Sequence, residues 1–128
     1  MPTDSASAKP APLVYVVDDE PVIAQTLAVI LKTSGFRAFG FTRPADALSA
    51  AETDAPDLLI SDVMMPEMNG IQLGIRFRSI YPDCKVLLFS GQAETANLLE
   101  LASAEGHDFV VLVKPVHPKD LLAAISKL

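Results

Sequence analysis

The sequence predicts an α/β protein with a doubly wound parallel sheet, built from five strand–helix units. Short apolar runs without polar alternation recur four times, a mixed segment at 36–41 is predicted as a further strand, and a segment with helical spacing of its apolar residues follows each of the five. Strands that helices cover on both faces have this continuous apolar character, and right-handed crossovers place them in one parallel sheet. Half of the 128 residues are hydrophobic, so the chain can bury a core of its own as one domain.

The predicted elements follow one another with short connections. The first helix begins at Pro21, which suits a first helical turn, and Gly35 closes it as a left-handed cap. The strands are predicted at 13–17, 36–41, 57–61, 86–89 and 109–113, and the helices at 21–35, 44–52, 70–80, 93–105 and 118–128. The polar, proline-punctuated segment 1–12 is predicted to be a flexible tail, so the folded domain covers residues 13–128.

Composition excludes several classes of function. The net charge of −6 argues against direct binding of nucleic acid or an anionic membrane surface, because both depend on basic patches. The single cysteine, Cys84, permits no internal disulfide and is interpreted as a small buried hydrophobe. No apolar run approaches the ~20 residues of a membrane span, and no signal peptide is evident. A cytoplasmic location without membrane insertion is therefore expected.

Polar side chains stand at the ends of four predicted strands. Asp18 and Asp19 follow the first strand, Asp62 the third, Ser90 the fourth and Lys114 the fifth. The carboxyl ends of parallel strands meet at one edge of the sheet, where ligands of such folds bind. Three carboxylates, a hydroxyl and an ammonium group at this edge predict an acidic Mg²⁺ site beside a phosphoryl site.

Each of these residues also has a structural interpretation when it is taken alone. The Asp18–Asp19 pair is compatible with capping of the following helix, Lys114 with a side chain that snorkels to water, and Ser90 with a turn. The combination favours chemistry instead, because a carboxylate can attack phosphorus and form an acyl phosphate. Mg²⁺, an ammonium and a hydroxyl are suitable partners for the three phosphoryl oxygens.

These motifs resemble the receiver (phosphoacceptor) domain of two-component response regulators, similar to the single-domain chemotaxis regulator. They are Val-Asp-Asp-Glu at 17–20, Asp-Val-Met-Met-Pro-Glu-Met-Asn-Gly at 62–70, Ser-Gly at 90–91 and Lys-Pro at 114–115. The resemblance covers residues 13–128 and implies a flavodoxin-like sheet with strand order 2-1-3-4-5. It implies bacterial-type signalling, with a histidine kinase or a histidine phosphotransfer protein as donor and protein contact or phosphorelay as output.

The resemblance also implies roles at the acidic site. Asp62 is the expected phosphoacceptor. Asp19 and Asp62 are the expected direct Mg²⁺ ligands, with Mn²⁺ as an alternative ion. Asp18 is expected to act through water, and the backbone carbonyl of Met64 to complete the protein ligands. The side chains at Met64 and Gln92 are expected to tune the lifetime of the phosphoryl group.

The same resemblance gives Ser90 the role of the switch hydroxyl and Lys114 that of the phosphoryl-binding lysine. One position departs from the family pattern. Three residues before Lys114 the family usually has a tyrosine or phenylalanine, but this chain has Val111, and the nearest preceding aromatic is Phe109. The departure leaves the phosphorylation chemistry unaffected and predicts an altered conformational response.

Two other functions compete with this interpretation. A phosphohydrolase of the haloacid dehalogenase type would need a second acid two residues after the nucleophile, where this chain has Met64. The protein is therefore not expected to be a dedicated enzyme beyond its own phosphorylation and autodephosphorylation. A receiver-like adaptor that acts without phosphorylation is the remaining alternative, and loss of an acidic residue or of the lysine would favour it. None of these is lost.

Overall fold

The computed structural model describes residues 11–91 and 95–128, and within them the chain forms a five-stranded parallel sheet flanked by helices. The strands are β1 (Leu13–Val17), β2 (Arg37–Phe41), β3 (Leu58–Asp62), β4 (Lys85–Ser90) and β5 (Val110–Val113). The helices are α1 (Pro21–Thr33), α2 (Pro44–Ala51), α3 (Gly70–Ile80), α4 (Thr95–Ala104) and α5 (Pro118–Ser126). The strand order β2-β1-β3-β4-β5 confirms the predicted fold.

The predicted boundaries of the described elements differ from the observed ones by at most two residues at each end. β1 and α3 have the predicted ends, whereas β3 extends to Asp62 and β4 extends to Ser90. Both polar residues are therefore the last residues of their strands and not the first residues of loops. Residues 1–10 of the predicted tail, Gln92 with its expected role in the phosphoryl lifetime, and residues 93–94 of the predicted fourth helix lie outside the described residues.

Two apolar layers, one on each face of the sheet, make up the core. Leu59 and Val86 pack with Phe77 of α3 on one face, and Val16 and Ile60 lie in the cluster on the other. All five residues of β1 and all five of β3 are buried, which explains why these strands lack polar alternation. Among the described residues, no helix has the length and apolar character needed to cross a bilayer.

The interpretation of Cys84 as a buried hydrophobe is confirmed. The residue is 4% exposed and belongs to the same core cluster as Leu59. Burial raises the pKa of its thiol to about 11, so the thiol stays protonated at neutral pH and is a poor nucleophile.

Local sequence signals fix the helix that follows β3. Asn69 caps α3, where its Oδ1 accepts a hydrogen bond from the Gln72 amide at 2.8 Å. The Gln72 Oε1 in turn accepts one from the Asn69 amide at 3.0 Å. This reciprocal capping box satisfies two backbone amides and defines the residue at which α3 begins.

Candidate functional site

Three aspartates converge at the carboxyl edge of the sheet. β1 pairs directly with β3, with Val17 opposite Ser61, so the residues that follow or end these strands are neighbours. One carboxylate oxygen from each of Asp18, Asp19 and Asp62 lies within 4.8 Å of the others. Asp18 and Asp62 are buried, whereas Asp19 is exposed. The sequence predicted this cluster, and its exposed member leaves it open to solvent on one side.

Lys114, the residue that follows β5, reaches this cluster with its side chain. Its Nζ donates a hydrogen bond to Asp62 Oδ2 at 2.8 Å and lies 3.6 Å from Asp18 Oδ2. Burial lowers the pKa of this ammonium, but the hydrogen bond to Asp62 and the two carboxylate charges outweigh burial, and the pKa lies above its ordinary value. The lysine is thus a charged partner of the cluster and does not snorkel to bulk water.

The two oxygens of Asp18 have different environments. Oδ1 accepts a hydrogen bond from the Glu20 amide at 2.9 Å, a local contact at the entry to α1. Oδ2 is inaccessible to solvent and accepts no hydrogen bond from the described residues. Burial raises the pKa of Asp18; the Glu20 amide and Lys114 oppose this shift, and the charges of Asp62 and Asp19 add to it.

This arrangement suits a hard divalent cation. A buried carboxylate oxygen without a hydrogen-bond donor is costly in the absence of a cation, and it belongs to a group of three carboxylates. Mg²⁺ prefers oxygen ligands and binds through a few carboxylates while it keeps several waters. The residues present therefore fit a Mg²⁺ site by their chemistry and their burial.

Ser90 and Met64 flank the cluster. Ser90 ends β4, is 7% exposed, and its carbonyl accepts a hydrogen bond from the Lys114 amide at 2.9 Å. This contact ties the end of β4 to the base of the lysine side chain. The side chain of Met64 is 45% exposed in the loop after Asp62. The predicted roles of the Ser90 hydroxyl and of the Met64 carbonyl stay predictions.

Two residues that support Asp62 were not assigned this role by the sequence. The buried Ser61 donates its hydroxyl to the Asp62 carbonyl at 2.9 Å. A Cβ at Gly70 would collide with the same carbonyl oxygen, and the Gly70 amide donates to Val63 at 2.9 Å. The start of α3 could have been predicted from Asn69 and Gln72, which have the spacing of a capping box. For Ser61 the only sequence signal was a serine inside an apolar run.

Phe109, the aromatic residue that precedes β5, packs against α3. A Cβ at Gly74 of α3 would lie 2.9 Å from the Phe109 ring, and the Arg78 guanidinium carbon lies 4.2 Å from its centroid. Val111 and Phe109 both border a small cavity of about 230 Å³ beside α4. Phe109 is thus held against α3, and Val111 occupies the position where the family usually has a ring.

The fold and the site together define a response regulator receiver domain. The family described as response regulator receiver domain matches residues 14–126, and the chain belongs to this family. It is 32% identical over 115 residues to the response regulator receiver protein CpdR of Brucella abortus, covering 90% of this chain and 94% of that protein. It is 30% identical to the chemotaxis protein CheY of Thermotoga maritima, covering 89% and 94% of the two chains.

Other matches place the same domain in longer proteins and in solved structures. Some curated relatives are about twice as long, and the chain spans 48% to 49% of their length. The response regulator protein TrrA of Thermotoga maritima, solved in complex with Mg²⁺-BeF, superposes with a TM-score of 0.76 at 25% identity. The superposition covers 91% of this chain and 97% of TrrA.

Proposed function

We propose that this receiver domain accepts one phosphoryl group on Asp62, in a reaction that depends on Mg²⁺, and signals through a change in protein contacts. The observation that carries the proposal is the pairing of Asp62 with Lys114 at 2.8 Å inside the acidic cluster. The Mg²⁺-BeF complex of TrrA adds support, because beryllofluoride bound to an aspartate mimics an acyl phosphate. Such a site modifies itself and is not a dedicated enzyme.

The proposed transfer needs a nucleophile and partners for the phosphoryl oxygens. One Asp62 carboxylate oxygen attacks phosphorus, the bond from phosphorus to the histidine nitrogen of the donor breaks, and the nitrogen keeps that electron pair. Lys114, which bonds Asp62 Oδ2 in the free protein, moves to a phosphoryl oxygen. The Ser90 hydroxyl, at the end of the neighbouring strand, is the proposed partner of another.

Asp18, Asp19 and Asp62 are the side chains that would hold Mg²⁺, with the Met64 carbonyl as a further ligand; Mn²⁺ is a chemically similar alternative. When bound, the ion supplies positive charge that neutralises the developing phosphoryl charge. Asp18 is suited to this because its Oδ2 is buried without a hydrogen-bond donor from the described residues. Asp19 is suited because it is exposed and accessible to an incoming hydrated ion.

A groove beside the site is suited to the donor protein. It lies between α1 and the loop after β5, has a volume of about 670 Å³, and is bordered by Ile23, Ile30 and Lys114. Val22 and Val29 are 77% and 56% exposed on the adjoining helix. An apolar groove that reaches the lysine fits the amphipathic helix of a histidine kinase or a histidine phosphotransfer protein. The output partner is proposed to be another protein.

Intact mass after incubation with acetyl phosphate and Mg²⁺ tests the proposal. The wild-type chain should gain one phosphoryl group, and Asp62→Asn should gain none. Asp46→Asn, which removes an exposed aspartate of α2, is the matched control and should react like wild type. Equal modification of Asp62→Asn would overturn the assignment of the acceptor, and no modification of the wild type would favour an adaptor that acts without phosphorylation.

A further inference from the structure

A salt bridge joins the two loops on either side of the strand that leads to Asp18 and Asp19. The Nη2 of Arg43, in the loop between β2 and α2, lies 3.6 Å from the Oε2 of Glu67, in the loop between β3 and α3. In the sheet β1 lies between β2 and β3, so these loops leave strands that are about 10 Å apart. The ion pair therefore spans the carboxyl end of β1, where the acidic cluster begins.

Glu67 has an unfavourable backbone conformation. Its φ is 72°, in the left-handed region that residues with a side chain rarely adopt. The Met68 amide donates to the Pro66 carbonyl at 2.8 Å, which closes a γ-turn around Glu67, and a γ-turn of this hand is rare and strained. Such strain persists only where surrounding contacts fix the backbone, and it is concentrated at functional sites. The ion pair with Arg43 is a contact of this kind, made from outside the loop.

The loop between β3 and α3 is anchored at its base. The Gly70 amide donates to the Val63 carbonyl at 2.9 Å, and the Val63 amide donates to the Phe89 carbonyl of β4 at 2.9 Å. These bonds fix the two ends of the loop, and residues 64–68 form the tip between them. Met64, whose carbonyl is the proposed further ligand of Mg²⁺, belongs to this tip. A contact that holds the tip against the next loop therefore also holds this carbonyl.

We propose that Arg43 and Glu67 are positioning residues, whose ion pair holds the loop tip where the Met64 carbonyl binds Mg²⁺. This inference rests on the proposed function, because it concerns the same ion. The sign of one effect separates positioning from general electrostatics. Loss of the Arg43 charge near three carboxylates would by itself tighten the binding of a cation, whereas loss of a positioning contact weakens it.

A Mg²⁺ titration of the full chain, followed by NMR amide shifts, gives the dissociation constant of each variant. Arg43→Gln and Glu67→Gln should each raise this constant about threefold, the scale of an exposed ion pair. The double variant with Arg43→Glu and Glu67→Arg re-forms the pair with exchanged signs and should bind Mg²⁺ like the wild type. Arg37→Gln is the matched control. Arg37 forms an exposed pair with Asp54 at 3.7 Å, but at the amino end of β2, so this variant should also bind like the wild type.

Melting temperatures, measured with a chelator present, separate positioning from a merely structural role. Glu67→Gly removes the ion pair and the unfavourable φ together, because glycine adopts left-handed φ values freely. Its melting temperature should equal or exceed that of the wild type, while its Mg²⁺ dissociation constant rises as in Glu67→Gln. A melting temperature that falls together with the Mg²⁺ affinity would overturn the positioning role.

The variants also separate this inference from the proposed function. If Arg43→Gln binds Mg²⁺ as tightly as the wild type or more tightly, the positioning role is wrong and the proposed function stands. The same holds if the double variant stays as weak as the single ones. A wild type that binds no Mg²⁺ would overturn both.

Discussion

The position of Asp18 in the site could be predicted from sequence, but its hydrogen bonds could not. Its place beside Asp62 and Lys114 could be predicted, because parallel topology brings the ends of neighbouring strands to one edge. The different hydrogen-bonding environments of its two carboxylate oxygens could not be predicted. They depend on one side-chain rotamer, in which Oδ1 meets the Glu20 amide and Oδ2 faces the cluster without a hydrogen-bond donor from the described residues. The bond to the Glu20 amide is a turn contact before α1, whose N-cap has no side-chain hydrogen bond, so the capping interpretation of Asp18 is wrong.

We predict that Asp18→Asn raises the free energy of unfolding by about 1 kcal/mol when Mg²⁺ is absent, since it removes a buried charge that is incompletely paired. The pKa of Asp18 is raised in the folded state, so the stability linked to its proton is present at low pH and is lost as pH rises through that pKa. The advantage of the variant should therefore shrink in acid.

Urea unfolding with a chelator present, at neutral and at acidic pH, measures this difference. Asp19→Asn, at the exposed carboxylate of the same cluster, is the control and should change stability less. A neutral-pH loss of stability in Asp18→Asn would show that attraction to Lys114 outweighs the cost of burial.

The elements themselves were more predictable than their ends. Continuous apolar runs identified four of the five strands, the exception being β2 with its Arg37 and Gly40, but hydrophobicity does not report where a hydrogen-bond ladder stops. Asp62 pairs opposite Phe89, and Ser90 opposite Val113, so polar residues extend both strands. The packing of Phe109 on Gly74 could not be predicted from sequence either, because it depends on how closely α3 approaches the sheet. The absence of a ring at Val111 was plain from sequence.

We predict that activation leaves Val111 and Phe109 little changed and acts mainly at Ser90 and Gly91. Valine has no ring to turn inward, and the Phe109 ring is held by Gly74 and Arg78. The response is then a shift between two states of the end of β4. NMR spectra of the free protein and its beryllofluoride complex measure it, and large changes centred on Phe109 with Ser90 still would contradict the prediction.

The junction of β3 and α3 should also be sensitive to one methyl group. We predict that Gly70→Ala destabilises the fold by roughly 1–3 kcal/mol, the usual cost of overpacking. It should also slow phosphorylation, because the new Cβ collides with the Asp62 carbonyl.

Gly91→Ala is the control at the same edge of the sheet, since its Cβ would only touch the Lys114 side chain at 3.4 Å. Thermal unfolding and the rate of phosphorylation by acetyl phosphate measure both variants. Equal effects at the two glycines would argue against this contact.

At the scale of the whole molecule, the sheet concentrates negative charge at one edge of an already acidic chain. The net charge is −6, and three carboxylates share one site with a single described ammonium, that of Lys114. A cation bound there stabilises the folded state, because the unfolded chain does not hold these carboxylates together. The stability of the entire domain therefore reports on the occupancy of the cluster.

We predict that Mg²⁺ raises the free energy of unfolding of the wild type, by about 1.4 kcal/mol when the ion is near tenfold its dissociation constant. Asp19→Ala should lose more of this increase than Asp18→Ala, since a direct ligand contributes more than one that acts through water. Asp46→Ala, on α2 away from the cluster, should keep all of it. Urea unfolding across a Mg²⁺ titration compares the three variants. If Asp19→Ala keeps the full Mg²⁺-dependent increase in the free energy of unfolding, Asp19 is excluded as a ligand. If every variant shows the same increase, the ion acts by general screening of the acidic surface.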